Sequence, residues 1–202
     1  SLSGRTIAAT GGTTGLGLES VERLAVGGAS VLLTARTEAK GQAALSKVKS
    51  YLKGKGVENN DVRYKIVDLD NLTAMKAIPS EWKDVERIDV LLNNAGVMAI
   101  PARDLTTDGF ERTIQSNHLG HFVLTALLAP KFADDARIIN VSSAAYQIAS
   151  SGLLKGDSLW KPSLDTYGPW AAYGQSKLAN ILFTEELQRR IQRAGLGWSA
   201  TC

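Results

Sequence analysis

Tyr173 and Lys177 stand four residues apart in WAAYGQSKLANILF (170–183), a stretch with the apolar period of a helix. On a helix, that spacing sets a phenol and an ammonium on one face, about one turn apart. A lysine charge held beside a phenol favours the phenolate. A phenol tuned in this way can move a proton to or from a substrate oxygen near neutral pH. The pair alone carries little weight, because Tyr-x-x-x-Lys arises by chance in long helices. The chemistry also requires a hydroxyl donor and a site for a redox nucleotide.

Ser142 and Ser143 close the apolar run ARIINVSS (136–143). Either hydroxyl can donate to a carbonyl oxygen. Serine hydrolysis is the rival chemistry, but the elbow G-x-S-x-G is missing, and a Ser–His–Asp set would have only His118 or His121 to draw on. Asn117 lies in QSNHLGHF (115–122), where an amide inside a helix is mildly unfavourable unless its side chain is used. It is placed to hold a water near Lys177. His118 and His121 are three apart, yet no third ligand accompanies them. They read as packed or hydrogen-bonded helix residues, and no metal site is expected.

Thr10-Gly11-Gly12-Thr13-Thr14-Gly15-Leu16-Gly17 sits between an apolar run and an amphipathic one. Glycines allow a tight turn and let a diphosphate approach the main chain. The following helix N-terminus offers free N–H groups and partial positive charge. Arg36 ends the second apolar run, SVLLTAR (30–36), where nucleotide folds of this kind commonly place an acid for the adenosine ribose. A guanidinium suits a 2′-phosphate instead, which favours NADP(H) over NAD(H). Asp68, at the end of VRYKIVDL (62–69), either accepts from the adenine amino group or caps the next helix. Asn93-Asn94-Ala95-Gly96 leaves room for a flat adenosine, and an asparagine there can reach across to the neighbouring strand.

The elements that must position these groups alternate along the chain. RTIAAT (5–10), SVLLTAR, VRYKIVDL, IDVLLNNAG (88–96) and ARIINVSS read as strands buried on both faces, since their apolar residues run without alternation. Between them lie helices over LGLESVERLAVG (16–27) and EAKGQAALSKVKSYLK (38–53), one after Asp70, and a long one over 107–128 stopped by Pro130. Residues 144–169 read as a loop, and the helix bearing Tyr173 runs to about Arg193. A last apolar segment from Trp198 reads as a strand cut by a fragment boundary at Cys202. Strand and helix in alternation imply an α/β fold: a Rossmann-type doubly wound parallel sheet with helices on both faces, one domain over 1–202, its C-terminal strands and substrate region expected beyond the chain.

Composition narrows the function classes. The chain has 202 residues and a formal net charge of +3, too small to make nucleic acid or an anionic membrane the main partner. Its longest apolar stretches, such as FVLTALLAP (122–130), are too short to span a bilayer. The lone Cys202 forms no internal disulfide, which fits a reducing compartment, with the cytoplasm as the default. The first residue is Ser1, so a native N-terminus is expected to have been removed.

The ordered set TGGTTGLG (10–17), NNAG (93–96), SNHLGHF (116–122), INVSSAA (139–145) and YGQSKLAN (173–180) resembles the short-chain dehydrogenases/reductases. The 30-residue step from Ser143 to Tyr173 and the wording around Tyr173 are most similar to the subgroup of retinol dehydrogenases and WW-domain oxidoreductases. The resemblance implies an oxidoreductase moving a hydride between NADP(H) and a carbonyl or alcohol, with an apolar small-molecule substrate. It implies Tyr173 as catalytic acid/base, Lys177 as its partner and holder of the nicotinamide ribose, Ser143 as the group polarising the substrate oxygen, and Asn117 linking Lys177 to solvent. Gly11, Thr13, Thr14, Gly15 and Leu16 would line the diphosphate; Asp68, Leu69, Asn94, Ala95 and Gly96 would line the adenosine and ribose. Family members often pair through two long helices, here near 107–128 and 170–193; the oligomeric state stays open, with a homodimer as the candidate. Leu178, Ile181, Leu182 and Leu187 suit either that interface or the monomer's own core. The rival readings are a catalytically silent NADP(H)-binding regulator or scaffold of the same fold, and a sugar-nucleotide epimerase, against which the glycine spacing argues.

Overall fold

The computed structural model describes residues 1–58 and 61–202. Six strands, β1 (Thr6–Ala9), β2 (Ser30–Ala35), β3 (Val62–Ile66), β4 (Ile88–Asn93), β5 (Phe132–Asn140) and β6 (Ser199–Thr201), form one sheet in the order β3-β2-β1-β4-β5-β6. Every pairing is parallel. The fold is the doubly wound α/β arrangement that the alternating pattern implies. β1 pairs with both β2 and β4, so the chain reverses its direction of travel across the sheet there. A reversal of this kind opens a crevice at the carboxyl ends of the central strands.

Successive side chains of a strand point to opposite faces, and both faces of this sheet are covered. Ile7, Ala9, Val31 and Leu33 pack on one side with Val21 and Ala25 of α1 (Gly15–Val26) and Val48 and Leu52 of α2 (Glu38–Gly54). Ala8, Leu32, Leu91 and Ile138 pack on the other with Trp82, Leu124, Leu128 and Ile191. A sheet buried on both sides needs apolar residues at every position, which explains the unbroken runs in the sequence.

The region after Asp70 holds two short helices, α3 (Leu72–Met75) and α4 (Ile78–Glu81). Pro79, which has no N–H to give, falls in the first turn of the second, where none is required. The helix expected from residue 107 starts later. Glu111 caps it by accepting from the Thr113 and Ile114 amides, both at 2.9 Å, and α5 (Arg112–Ile114) continues through a π turn (Gln115–Leu119) into α6 (Gly120–Leu128). Residues 105–111 form a bridged turn, with Leu105 against Glu111. The Glu111 cap satisfies two of the N–H groups that every helix start leaves unpaired.

β5 begins at Phe132, four residues earlier than the sequence pattern suggests: Phe132 pairs with Ile88 of β4, and its ring meets Trp198 edge-on at 5.2 Å. The stretch read as a loop, 144–169, contains a 3-10 turn (Ala144–Ala149) and a short helix α7 (Asp157–Trp160). Helix α8 (Pro169–Arg193) opens with proline in its first turn, where the missing N–H costs nothing. No helix among the described residues is long and apolar enough to cross a membrane.

Candidate active site and nucleotide cleft

At the carboxyl edge beside β1 lies a cleft of about 590 Å³. The glycine turn forms its floor. Gly11 has φ +69 and lies so near the next strand end that an added Cβ would sit 2.9 Å from the Ala95 Cα. A Cβ on Gly17 would fall on the Gly11 carbonyl oxygen and the Asn94 side chain. The turn thus closes only without side chains, leaving main chain open to a ligand. Thr14, the N-cap of α1, makes no side-chain cap bond, so the first N–H groups of this 12-residue helix remain free for an anion. These features fit the diphosphate of a dinucleotide.

Gly11, Thr13, Thr14, Leu16, Arg36, Asp68, Leu69, Asn94, Ala95 and Gly96 all line this cleft. Gly15, Tyr173 and Lys177 are not among its lining residues. Asp68 does not cap the following helix: Asn71 does, accepting from the Ala74 amide at 2.8 Å, while Asp68 accepts from Asp70 N at 3.1 Å. Arg36 points into the cleft mouth, with its Nη1 3.8 Å from Asp70 Oδ2. Asp70 is already engaged by Arg112 at 2.6 Å and by the Ser116 hydroxyl, so both its oxygens are spoken for before any ligand arrives.

A buried polar chain ties this cleft to the long helix. The Asn117 carbonyl accepts from His121 Nδ1 at 3.0 Å, which fixes that nitrogen as the donor. His121 Nε2 then accepts from the Thr10 hydroxyl at 2.8 Å. Thr10 Oγ1 in turn accepts from the Asn94 and Ala95 amides, both at 2.9 Å, and Asn94 Nδ2 donates back to the Thr10 carbonyl at 3.0 Å. Burial pushes the His121 imidazolium down to about 4, the hydrogen bond to Asn117 working weakly against it. The ring is therefore neutral near pH 7, as this chain of donors and acceptors requires.

The Asn117 side chain is fully committed. Its Oδ1 accepts from Val97 N at 2.8 Å, and its Nδ2 donates to Val97 O and to Ser176 Oγ, both at 2.9 Å. Ser176 Oγ donates to the Tyr173 carbonyl at 2.7 Å. Asn117 thus fastens the segment after Asn94-Ala95-Gly96 to the helix turn that carries Tyr173.

On α8, the buried Lys177 has its Nζ 5.6 Å from the centre of the Tyr173 ring and donates to the Val141 carbonyl at 2.9 Å. Burial lowers the Lys177 ammonium below its ordinary range. Ser142 spends its hydroxyl on the Lys177 carbonyl at 2.9 Å. Ser143 Oγ accepts from Ala145 N at 3.2 Å, which leaves its own proton to give. Gly174 lets this strand end press on α8, since a Cβ there would lie 2.8 Å from the Ala145 carbonyl oxygen. Of the two serines, Ser142 donates its proton within the protein, and Ser143 makes no donor bond among the described residues. The Tyr173 hydroxyl makes no hydrogen bond among the described residues, whereas those of Tyr64 and Tyr167 are bonded to Glu38 and Ile100. An acid/base poised for a substrate needs that free oxygen.

Residues 5–154 match the short chain dehydrogenase family. The chain belongs to the short-chain dehydrogenase family. It is 37% identical over 196 residues to mouse (Mus musculus) retinol dehydrogenase 12, covering 96% of this chain and 58% of that protein. It is 39% identical over 197 residues to human (Homo sapiens) retinol dehydrogenase 13, covering 96% and 56%. Human polyprenol dehydrogenase matches at 37% over 193 residues, covering 92% and 55%. The chain thus spans less than two thirds of the length of these relatives. Among solved structures, an uncharacterised protein from Mycobacterium paratuberculosis superposes with a TM-score of 0.83 at 41% identity, covering 99% of this chain and 67% of that one. A blue fluorescent protein from a metagenomic library, in complex with NADPH, superposes with a TM-score of 0.72 at 26% identity, covering 98% and 72%.

The cleft is also lined by residues that sequence reasoning missed. Lys40 and Lys47 line the cleft with Arg36, and Asp70 and Ser116 line it with Asp68. Lys40 carried a weak signal, a cation just past the N-cap of the helix after Arg36. The link from Thr10 to His121 spans 111 residues in sequence and carried none.

Proposed function

We propose that this chain forms the nucleotide-binding and catalytic part of an NADP(H)-dependent oxidoreductase acting on carbonyl or alcohol groups of apolar small molecules, with Ser143, Tyr173 and Lys177 as its catalytic set. The observation that carries this reading is the free Tyr173 hydroxyl on the same helix face as the buried Lys177; Ser143, which keeps a proton to give, joins them in the proposal. The bound nicotinamide supplies or accepts the hydride. In the reducing direction, Tyr173 gives its proton to the substrate oxygen. Ser143 donates a hydrogen bond to the charge developing there. The charge left on the Tyr173 oxygen forms near the buried Lys177 Nζ, which lies 5.6 Å from the centre of its ring.

Gly11, Thr13, Thr14, Gly15 and Leu16 hold the diphosphate against the α1 N-terminus. Asp68, Leu69, Asn94, Ala95 and Gly96 take the adenosine, and Tyr173 and Lys177 the nicotinamide ribose. Arg36, joined by Lys40, takes a 2′-phosphate, so NADP is favoured over NAD. The structural neighbour carrying NADPH supports that choice. Asn117 acts through position: its side chain is used up on Val97 and Ser176, which holds the turn that carries Tyr173. The names of the retinol and polyprenol dehydrogenases support an apolar substrate. Phe122 and Leu182, exposed on α6 and α8, suit pairing of two copies.

The test is a panel of aldehydes and ketones offered to the full-length protein, with NADPH oxidation as readout. Turnover of apolar carbonyls is expected. NADPH binding with no turnover of any carbonyl would instead favour the silent regulator.

A further inference from the structure

The four tryptophans of the chain are used in two ways. Trp82 is fully buried, Trp198 packs against the larger core cluster, and Trp160 packs against a small cluster under α7. Trp170 belongs to none of these and is 53% exposed. Its ring meets Tyr173 edge-on, with centroids 6.1 Å apart and planes at 83°. Trp170, Tyr173 and Lys177 fall at i, i+3 and i+7 of α8, so indole, phenol and ammonium share one face. Trp170 is the outermost of the three, one turn beyond the reacting oxygen.

The chain on either side of that indole is tied down. Met98, 60% exposed, follows Val97, which Asn117 fastens beside the Tyr173 turn. The segment leading into α8 is strapped to the facing loop by the Tyr167 hydroxyl on the Ile100 carbonyl at 2.8 Å and by Arg103 Nε on the Pro162 carbonyl at 2.5 Å. A half-bare aromatic ring is thereby held at a fixed place next to the catalytic phenol. Such a ring offers its face or edge to a second flat π system, and aromatic pairs gain beyond simple burial.

We propose that Trp170 is the specificity-determining residue of this site and that it selects carbonyl compounds bearing a flat aromatic body over aliphatic ones of similar size. The inference rests on the oxidoreductase reading and names the substrate class of that same site. The carbonyl sits under Tyr173 and Ser143, and the aromatic body extends outward along the indole.

The test compares wild type, Trp170→Ala and Trp170→Phe in the full-length protein, with 2-acetonaphthone and 2-dodecanone as probes and NADPH as cofactor. Trp170→Ala is expected to raise KM for 2-acetonaphthone about three- to tenfold, with KM for 2-dodecanone changed less than about twofold and NADPH affinity intact. Trp170→Phe is expected to keep most of the preference, because a π face remains. Equal losses for both ketones, or no loss for either, would overturn the proposal. Should wild type reduce neither ketone, the catalytic reading falls, and calorimetric binding of 2-acetonaphthone to the NADP⁺-saturated protein still judges Trp170: weaker binding to the alanine variant supports it, and unchanged binding rejects it.

Discussion

The glycine turn and the serine strand end occupy the same carboxyl edge of one sheet, yet they are built by opposite means. The nucleotide side is made of main chain: its shape depends on atoms being absent at Gly11 and Gly17 and on the Thr10 hydroxyl gathering two backbone amides. The chemical side is made of side chains, delivered by the period of α8 and by one serine beyond β5. The first has no room for added bulk at Gly11 and Gly17. The second is expected to depend on single oxygen atoms.

The sharpest way to separate the two is Tyr173→Phe. We expect turnover to fall about a thousandfold, while NADPH affinity, read by fluorescence titration, changes only a few-fold. An active phenylalanine variant would remove the proton-transfer role. Gly17→Ala attacks the other region. Its new methyl group meets the Gly11 carbonyl and the Asn94 side chain, so we expect about 3 kcal/mol of lost stability together with lost NADPH binding, measured by chemical unfolding with and without cofactor. A variant that still gains stability from NADPH as wild type does would show that the turn has room to spare.

The joint between the regions is His121, and it is sensitive to pH. Its folded value of about 4 lies below the ordinary 6.5, so the unfolded chain binds a proton first as pH falls. The stability it contributes is present above about pH 6.5 and is lost progressively down to about pH 4, on the order of 3 kcal/mol in full. Unfolding free energies at pH 7.5 and 5 should differ by about 2 kcal/mol more in wild type than in His121→Gln; equal differences would exclude the histidine as the cause. The smallest effect is expected from Arg36→Asp, which should weaken NADPH about tenfold relative to NADH. Equal affinity of wild type for the two cofactors, in a paired titration, would refute the 2′-phosphate role.

How far each region can be read from sequence follows from the same contrast. The glycine turn, the strands and Tyr173 with Lys177 were legible because each rests on local spacing. The late start of the long helix at Glu111, the early start of β5 at Phe132 and the helical turns inside 144–169 were not. They are set by a cap, a ring contact to Trp198 and a serine bond to Ala145, each a competition between local arrangements of similar energy. Spacing alone leaves Asp68 between two roles, because the cap is taken by Asn71 three residues on.

The linear order of residues determined the fold class, the dinucleotide turn and the shared helix face of phenol and ammonium, because backbone periodicity and glycine sterics act between near neighbours. Tertiary structure alone decided which serine keeps a proton to donate, that Asn117 is consumed in bracing Val97 and Ser176, and that Thr10 and His121 meet. Those assignments depend on groups far apart in the chain competing for the same few hydrogen-bond partners once water is excluded.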